Sequence, residues 1–373
     1  MKFTIRKTDI QEVLSKVQGL ASRKTNLAIT TNVLIKASDA DISIIATDLE
    51  TGFEGTYPAT VASEGTIAIN AKKLFEIIKE FPTDDVTINE VENQWIDISN
   101  GKVEYRLMGM NPDEFPDNPE VDDTDLIEVD SALFSRVIEK TIIVSGAGDD
   151  RRAHITGILF ETFDHEGQGF VRMVSTDGSR LSKADCPLIG GQRSDGTSGV
   201  IIPKKGLNEI HKFLEPTGSI RIGHKGSNFI VKKESETIIV RLLEGDFPKY
   251  TDIVVKSEKS HPLVIDKTTY QKMLRRMSIL SSENYKGVMF KFDDNTLELS
   301  VSNPEIGEAK EDIEVVYKGN PIEVAFNPRF FIETLNVVDG DQITMNLIDA
   351  ESPCLIEDNQ DSTYLSVIMP MRI

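Results

Sequence analysis

Basic side chains at helical spacing are the residues in this sequence whose type and arrangement suit the binding of a ligand. Lys72 and Lys79 lie seven residues apart in a segment with helical apolar periodicity, which places them two turns apart on one helix face. Such rows can contact phosphates, which hold a nucleic acid without reading its sequence. The alternative is a solvated polar face on an ordinary helix. The positions predicted for phosphate contact are Lys24, Lys72, Lys79, Arg136, Lys140, Arg151, Arg152, Lys204, Lys205, Lys212, Lys272, Arg275 and Arg276.

Other chemistry is poorly represented among the polar residues. The five histidines, His154, His165, His211, His224 and His261, show no metal-ligand spacing. The chain has no G-x-x-x-x-G-K-[ST] phosphate loop and no convincing Ser/His/Asp or Cys/His arrangement. Its glycine-rich stretches do not fit a dinucleotide fingerprint and are interpreted as turns. The sequence therefore predicts no catalytic residue, no metal and no cofactor.

The net charge of −20 at first argues against a nucleic-acid partner, because a basic surface is the usual sign of one. The charges are sorted by element, however: the helical segments hold much of the basic charge, and the linkers and many strands are acidic. Net charge says little about a protein whose charges lie on different surfaces. Glu76 and Glu209, which lie between the lysines, are expected to keep any grip on phosphates weak.

Length and composition predict a cytoplasmic protein of several domains. A chain of 373 residues exceeds the roughly 250 residues of most single cores, so two or three domains are expected. Cys186 and Cys354 are too few for a disulfide framework and are interpreted as reduced thiols. The N-terminus lacks the apolar core of a signal peptide, and no apolar run approaches the ~20 residues that span a bilayer, so no membrane association is expected.

An internal repeat, with a period near one third of the chain, organises the sequence. A helix-like segment opens each repeat, at 9–20, 131–144 and 267–280, and an apolar strand follows it. A later strand ends in a small polar pair, and an apolar residue before proline closes the repeat. The pairs are Thr47-Asp48, Thr176-Asp177 and Ser302-Asn303, and the closing residues are Phe115-Pro116, Phe247-Pro248 and Met369-Pro370.

The second helix of each repeat carries the most regular marker, a set of polar residues at i, i+4 and i+7. These sets are Lys72, Glu76 and Lys79; Lys205, Glu209 and Lys212; and Arg329, Glu333 and Asn336. We therefore predict an α+β fold with three copies of a domain built from two helices and antiparallel sheet, at 1–124, 125–256 and 257–373. The stretch 111–130, rich in acids and without Lys or Arg, is predicted to be a solvated linker.

Seven motifs, spread over the whole chain, then give a resemblance to a known family. They are MKFTIRKTDI at 1–10, ATDLE at 46–50, STDGSRLS at 175–182, IIPKKGL at 201–207, EGDFPKY at 244–250, SNPEIGEAKE at 302–311 and VIMPMRI at 367–373. The chain resembles the bacterial sliding clamps, the beta subunits of DNA polymerase III. The resemblance implies the DNA clamp fold and a head-to-tail homodimer that forms a six-domain ring with its helices around the hole.

The same resemblance implies the function and the partners. The ring would encircle double-stranded DNA without reading its sequence and would tether the replicative DNA polymerase for processive replication. An ATP-driven clamp loader would open it, and other replication and repair proteins would also bind. The chain itself would not be an enzyme.

The resemblance also implies two sets of site residues. The dimer interface would contain Tyr105 and Leu107 from one end of the chain and Ile279 and Leu280 from the other, although the last two could equally face the core. A pocket for the peptides of partner proteins would contain Ile155, Thr176, Gly178, Arg180, Leu181, Pro248, Ile253, Phe330, Val367, Met369, Pro370, Met371 and Arg372. Ser179 and Asp252 depart from the commonest family pattern, which puts the peptide preference in doubt. Removal of residues 367–373 is expected to abolish partner binding and to leave the dimer intact.

Two rival functions make different predictions. A hydrolase on a repeated scaffold would gather catalytic groups in one repeat, and no such group is visible in the sequence. An acidic repeat scaffold that binds only proteins explains the net charge and the pocket, but it leaves the basic rows on equivalent helices unexplained.

Overall fold

A computed structural model describes residues 1–21, 26–119, 121, 124–144, 153–191, 199–281 and 287–371. Within these residues the helices are α1 (Lys7–Ala21), α2 (Ala71–Lys79), α3 (Ser131–Ile142), α4 (Ala153–Thr156), α5 (Lys204–Phe213), α6 (Lys267–Ser278) and α7 (Pro328–Val337). The long helices fall where the sequence predicts two per repeat. The three repeats of an α+β domain are thus confirmed as the fold class.

The strands are short and pair only antiparallel within the described residues. They are β1 (Lys2–Arg6), β2 (Asn32–Ser38), β3 (Asp41–Thr47), β4 (Thr51–Pro58), β5 (Thr60–Ser63), β6 (Gly65–Asn70), β7 (Asp85–Glu90), β8 (Trp95–Ser99), β9 (Glu104–Met108), β10 (Ile127–Asp130), β11 (Gly157–His165), β12 (Gln168–Thr176), β13 (Arg180–Pro187), β14 (Val200–Pro203), β15 (Ser219–Lys225), β16 (Asn228–Lys233), β17 (Glu236–Arg241), β18 (His261–Asp266), β19 (Val288–Asp293), β20 (Thr296–Asn303), β21 (Gly307–Glu314), β22 (Ile322–Phe326), β23 (Gln342–Leu347), β24 (Cys354–Asp358) and β25 (Leu365–Ile368).

Two compact units divide the chain, and their borders do not follow the three repeats. Unit 1 comprises Met1–Ala132 and Lys205–Leu242, and unit 2 comprises Leu133–Lys204 and Leu243–Ile373. The middle repeat therefore contributes β10, β15, β16 and β17 to unit 1 and β11 to β14 to unit 2.

Unit 1 contains a five-stranded sheet, in the order β5-β1-β7-β8-β9, and an eight-stranded sheet, in the order β10-β15-β16-β17-β4-β3-β2-β6. The eight-stranded sheet joins the first two repeats where β4 pairs with β17 and Gly52 lies opposite Ile239. The apolar stripe of α1, with Val13 and Val17, is buried because apolar residues three and four apart share one helix face.

Unit 2 has an eight-stranded sheet in the order β14-β11-β12-β13-β25-β24-β23-β18, and a four-stranded sheet in the order β21-β20-β19-β22. Here β13 pairs with β25, so that Leu181 lies opposite Val367 and the last two repeats share one sheet. Tyr270 of α6 and Phe331 of α7 are fully buried, and their rings pack edge to face with centroids 6.1 Å apart.

Side-chain caps fix the starts of the second helices in the outer repeats. Asn70 accepts a hydrogen bond from the backbone N–H of Lys73 at 2.9 Å, and Asn327 accepts one from Arg329 at 3.1 Å ahead of a proline at the first turn. An asparagine in this place satisfies one of the backbone N–H groups that have no partner within the helix.

The predicted linker at 111–130 is not wholly solvated, which corrects the expectation from its acidic composition. Phe115 is buried, and the side-chain amide of Asn118 donates to the carbonyl of Phe53 at 3.2 Å. The last four residues form β10, the edge strand of the eight-stranded sheet of unit 1. Asp113, Glu114 and Asp117 are exposed, whereas Phe115 between them is buried.

Candidate nucleic-acid interface and peptide pocket

The second helices display the predicted lysines to solvent. Lys72 and Lys79 are exposed on α2, because Leu74 and Ile78 take the buried face of the helix. Lys205 and Lys212 on α5 are likewise exposed, with 70% and 58% of their side-chain surface accessible. Two helices thus present lysines in the same pattern, as the repeat predicts.

The glutamates between these lysines differ from one repeat to the next. Glu76 is exposed and accepts a hydrogen bond from Lys73 at 2.8 Å. Glu209, by contrast, is buried against Gly19 of α1, where an added Cβ atom would clash with its carboxylate. Glu209 is therefore shielded from solvent, but its carboxylate still accepts a hydrogen bond from Lys212 at 3.1 Å.

Lys140 on α3 is buried, which removes it from the predicted phosphate contacts. Its ammonium group donates to Asp361 at 2.5 Å, lies 2.7 Å from Asp339, and lies over the ring of Tyr364 at 5.2 Å from the centroid. Only 2% of its side chain is accessible. The sequence places Lys140 on a polar face with Arg136, but carboxylates about 200 residues further along the chain cover it.

Some of the remaining predicted cations are exposed, and others form salt bridges or are partly buried. Lys272 and Arg275 are exposed on α6, whereas Arg276 makes a two-pronged salt bridge to Glu311. Arg136 pairs with Glu139 at 2.7 Å and also with Asp339. Lys204 is half-buried; burial, and next the positive charge of Arg180, lower the pKa of its ammonium group. Lys24, Arg151 and Arg152 lie outside the described residues.

A tight turn between β12 and β13 positions the polar part of the predicted pocket. The hydroxyl of Thr176 donates to the carbonyl of Arg180 at 2.8 Å, and Asp177 accepts from the backbone N–H groups of Ser179 and Arg180. Gly178 has φ +88°, a left-handed conformation that glycine adopts without strain. The turn leaves Gly178 exposed and directs Arg180 into the unit.

Arg180 is the polar centre of this pocket. Its guanidinium lies 2.6 Å from Glu333, donates to Asp177 at 2.9 Å, and stacks over the ring of Phe330 at 4.3 Å from the centroid. Burial alone would raise the pKa of Glu333, but Arg329 and Arg180 outweigh it and keep the pKa below its ordinary value. The sequence analysis did not place Glu333 in the pocket. The available signal was its position in the repeated polar set, where it is equivalent to Glu76 and Glu209.

The apolar part of the pocket surrounds the pairing of β13 with β25. Leu181 and Val367 belong to one buried cluster with Tyr250, against which the half-buried Phe247 packs. Tyr250 was not predicted; its hydroxyl donates to Glu161, and burial followed by this contact raises its pKa. The backbone N–H of Ile253 donates to the carbonyl of Tyr250 at 3.0 Å, which holds the exposed Ile253 near the cluster.

The end of the chain runs along this pocket. The backbone N–H of Met369 donates to the carbonyl of Ser179 at 2.9 Å, and that of Met371 donates to Ala325 at 2.8 Å. The Met369 side chain is 39% exposed, and Pro370 and Met371 are half-buried. Among the other predicted pocket residues, Pro248 is exposed and Ile155 is buried, whereas Arg372 lies outside the described residues.

The residues predicted for the dimer interface lie at exposed places in their own units. In unit 1, β9 is an edge strand of the five-stranded sheet, with Tyr105 41% exposed and Leu107 half-buried. In unit 2, Ile279 follows the end of α6 and is 75% exposed, while Leu280 is half-buried. Ile279 therefore does not face the core of the described chain. A second edge strand, β21, belongs to the four-stranded sheet of unit 2.

The described residues contain neither a metal-binding cluster nor a helix that could span a membrane. Among them, no three His, Cys, Asp or Glu side chains form a group that could hold a metal ion. Within the same residues no helix is both long and apolar enough to cross a membrane.

Comparison with known proteins gives consistent matches over the whole chain. Residues 1–119, 128–249 and 254–372 match the N-terminal, central and C-terminal domains of the DNA polymerase III beta subunit. The beta sliding clamps of Pseudomonas aeruginosa and Escherichia coli K12 are 31% and 29% identical, with each chain covered over its full length. The crystal structure of the DNA polymerase III subunit beta from Pseudomonas aeruginosa superposes with a TM-score of 0.92 at 28% identity, again with 100% of both chains covered.

Proposed function

Because this chain belongs to the DNA polymerase III beta subunit family, whose members are DNA sliding clamps for replication, we propose that two copies close head to tail into a ring around duplex DNA. Its two ends differ, as a head-to-tail contact requires: β9 is a free edge in unit 1 and β21 a free edge in unit 2. The edge strand β9 exposes the apolar side chains of Tyr105 and Met108, whereas β21 exposes charged side chains, and each edge offers backbone groups that can pair with another chain. The domain boundaries 1–124, 125–256 and 257–373 are part of this proposal.

One observation carries the proposed contact with DNA: exposed lysines recur at equivalent positions of α2 and α5 in a chain whose net charge is −20. The proposed phosphate contacts are Lys72, Lys79, Lys205, Lys212, Lys272 and Arg275, to which Lys24, Arg151 and Arg152 remain predicted additions. A protein held by such contacts alone loses DNA as salt rises, since counterions compete for the phosphates. A closed ring escapes this limit, so weak contacts that permit sliding are sufficient.

The pocket around Arg180 and the chain end is the proposed binding site for partner proteins. Exposed Met369 and half-buried Met371 offer flexible apolar contacts that adapt to different peptides. Arg180 and Lys204 supply positive charge beside them, partly offset by Glu333. The proposed occupants are short segments of the replicative polymerase, of a clamp loader, and of other replication and repair proteins.

The proposed division of chemistry follows from this role. The clamp would hold the polymerase on DNA and slide along the duplex, while the clamp loader would hydrolyse the ATP needed to open the ring. The clamp itself is therefore proposed to catalyse no reaction and to need no cofactor. Its proposed place of action is the cytoplasm, where a bacterial chromosome is replicated.

A loading experiment tests the ring directly. The protein is loaded onto nicked circular DNA with its clamp loader and ATP, the salt concentration is raised, and the DNA is then linearised. We expect the protein to stay on the circle at high salt and to run off the linear DNA, because its attachment is topological. Equal loss from both forms after confirmed loading would contradict the ring and favour a scaffold that binds only proteins.

A charge placed at the proposed dimer contact is expected to open it. In Ile279→Asp the side chain is already exposed, so the fold should persist, while each contact loses about 2 kcal/mol of apolar burial and gains an unpaired charge. We expect the native mass to fall from twice 41.5 kDa to 41.5 kDa at micromolar concentration. Val255→Asp, at another exposed apolar residue, is the matched control that should stay dimeric. An unchanged mass for Ile279→Asp would argue against this interface.

A further inference from the structure

A second cavity lies in unit 1 where the internal repeat makes it equivalent to the peptide pocket of unit 2. Its volume is about 350 Å³, within the range of sites that hold small ligands. It lies beside the pairing of β4 with β17, as the peptide pocket lies beside the pairing of β13 with β25. The lining residues used below are Leu49, Glu50, Asp117, Asn118, Ile239 and Arg241.

The same turn builds both sites. In unit 1 the Thr47 hydroxyl donates to the Thr51 carbonyl at 3.1 Å, which matches the 2.8 Å contact of Thr176 in unit 2. Asp48 accepts from the backbone N–H groups two and three residues on, as Asp177 does. The registers agree as well, because Ile239 stands opposite position 52 as Val367 stands opposite position 181.

Leu49 takes the place that Gly178 has in the other turn. Its φ of +74° lies in the left-handed region, which bulky side chains rarely adopt. The side chain is nevertheless 45% exposed, so this strained conformation is not offset by burial in the core. Strain of this kind is found mainly where a side chain has a task at a binding site. Leu49 therefore presents an apolar group at the rim of the cavity.

Asn118 makes the floor of this cavity polar. Gly52 has no side chain where unit 2 has Leu181, and an added Cβ atom there would clash with the Asn118 amide. The amide nitrogen donates to the Phe53 carbonyl at 3.2 Å, which holds the group in place and leaves its oxygen toward position 52. An amide in this place suits hydrogen bonding to a peptide backbone better than the apolar leucine does.

The charges at the rim select the side chains of an occupant. Glu50 and Asp117 are exposed carboxylates, and Arg241 is the one cation among the lining residues. Glu50 has only a long contact, 3.8 Å, to Lys205. The rim therefore favours a basic group, whereas in the pocket of unit 2 Lys204 is half-buried and Arg180 is already paired with Asp177 and Glu333.

We propose that this cavity binds a short extended segment of a partner protein in which one apolar side chain lies next to a lysine or arginine. The apolar side chain would contact Leu49 and Ile239, the basic one would contact Glu50 and Asp117, and Asn118 would bind the peptide backbone. The proposal rests on the proposed function only in taking the pocket of unit 2 as the equivalent peptide site. The two sites would then differ in the partner segments that they prefer.

Two tetrapeptide probes test this on the full-length dimer. They are acetyl-Ser-Leu-Arg-Ser-amide and the same peptide with glutamate in place of arginine, followed through the methyl signals of Leu49, Ile239 and Val367 in NMR spectra. We expect the arginine peptide to shift Leu49 and Ile239 at concentrations up to about 5 mM, and the glutamate peptide to shift them far less. Replacing both Glu50→Gln and Asp117→Asn should raise the Kd about tenfold, since each exposed charge contributes about two- to fivefold.

A matched control variant and the methyl signals of Val367 distinguish the possible outcomes. Glu80→Gln with Glu92→Gln removes two exposed carboxylates of unit 1 outside the cavity and should leave the Kd unchanged. Shifts confined to Val367, equal shifts with both peptides, or no shift of Ile239 would each overturn the proposal. Peptide binding at Val367 without binding at Ile239 would overturn the proposal and leave the proposed function intact, whereas binding of the arginine peptide at Ile239 alone is the result that the proposal expects.

Discussion

A chain that ends at Ile368 is expected to bind the peptides of its polymerase and clamp loader at least about a hundredfold more weakly while still forming a dimer. Residues 369–371 lie along the pocket through backbone hydrogen bonds to Ser179 and Ala325, and they present two methionine side chains. Loss of the apolar contacts of two methionines is worth about 3 kcal/mol or more, which corresponds to that factor. The exposed part of Ile279 is untouched, so the dimer contact should persist.

The structure sets where this truncation must begin. Removal of residues 367–373, which the sequence alone suggests, would also delete Val367 and Ile368, which are 1% and 0% exposed and pair with both β13 and β24. That variant would lose core strand residues and confuse unfolding with loss of binding. Ending the chain at Ile368 keeps β25 complete.

Fluorescence anisotropy of a labelled peptide from the cognate polymerase measures the effect. The double variant Met369→Ala and Met371→Ala retains the backbone bonds and should lose most of the affinity, which assigns the loss to the side chains. The native mass of each variant reports on the dimer. Unchanged peptide affinity after truncation would rule out the chain end as part of the pocket.

Replacement of Lys140 by methionine is expected to lower the free energy of unfolding of unit 2 by about 3 kcal/mol. The ammonium group lies between Asp339 and Asp361, and Asp358 lies 3.9 Å away and is itself buried. Arg136 still pairs with Asp339 in this variant, but Asp361 and the buried Asp358 lose the nearby positive charge, which is strongly destabilising at a buried site. Urea denaturation followed by circular dichroism measures the difference.

The effect of Lys140→Met should depend on pH. Burial alone would raise the pKa of Asp361, but hydrogen bonds from Lys140 and Thr363 outweigh burial and hold the pKa below the ordinary 3.8. A carboxyl whose pKa is lowered by folding stabilises the protein above its unfolded pKa, and this stabilisation is lost as pH falls through the folded pKa. The gap between wild type and variant should be full at pH 7 and should shrink below about pH 4.

Lys79→Met is the matched control for Lys140→Met. Lys79 is exposed, so its replacement should leave urea stability within about 0.5 kcal/mol of wild type and should instead weaken contact with DNA. If Lys140→Met were as stable as Lys79→Met at pH 7, the buried charge cluster would not hold α3 as described.

Much of the fold follows from local sequence. Apolar spacing, an asparagine or proline before each second helix, and small polar pairs at strand ends recur three times, and the structure has helices and turns at those places. Pairing between repeats could not be predicted in this way. The contact of β4 with β17 joins residues more than 180 positions apart, and nothing in either strand specifies the other beyond apolar character.

The positions of some site residues likewise follow from local sequence, whereas those of others depend on distant segments of the chain. The exposure of Lys72 and Lys79 can be predicted, because the apolar spacing of their own helix shows which face is buried. The burial of Lys140 and Glu209 cannot be predicted from their own helices, because distant segments of the chain surround these side chains. The position of Arg180 was predicted through a family resemblance, but its pairing with Glu333 required the structure.

The sharing of each eight-stranded sheet between two repeats has a consequence for synthesis on the ribosome. When the middle repeat has emerged, β13 has its partner on one side only, because β25 lies at residues 365–368, more than 170 positions after the end of β13. An apolar strand with a free edge invites pairing with other chains. The nascent protein must therefore keep this edge from aggregating until β25 has emerged, and a chain cut short before β25 should be insoluble although two complete repeats are present.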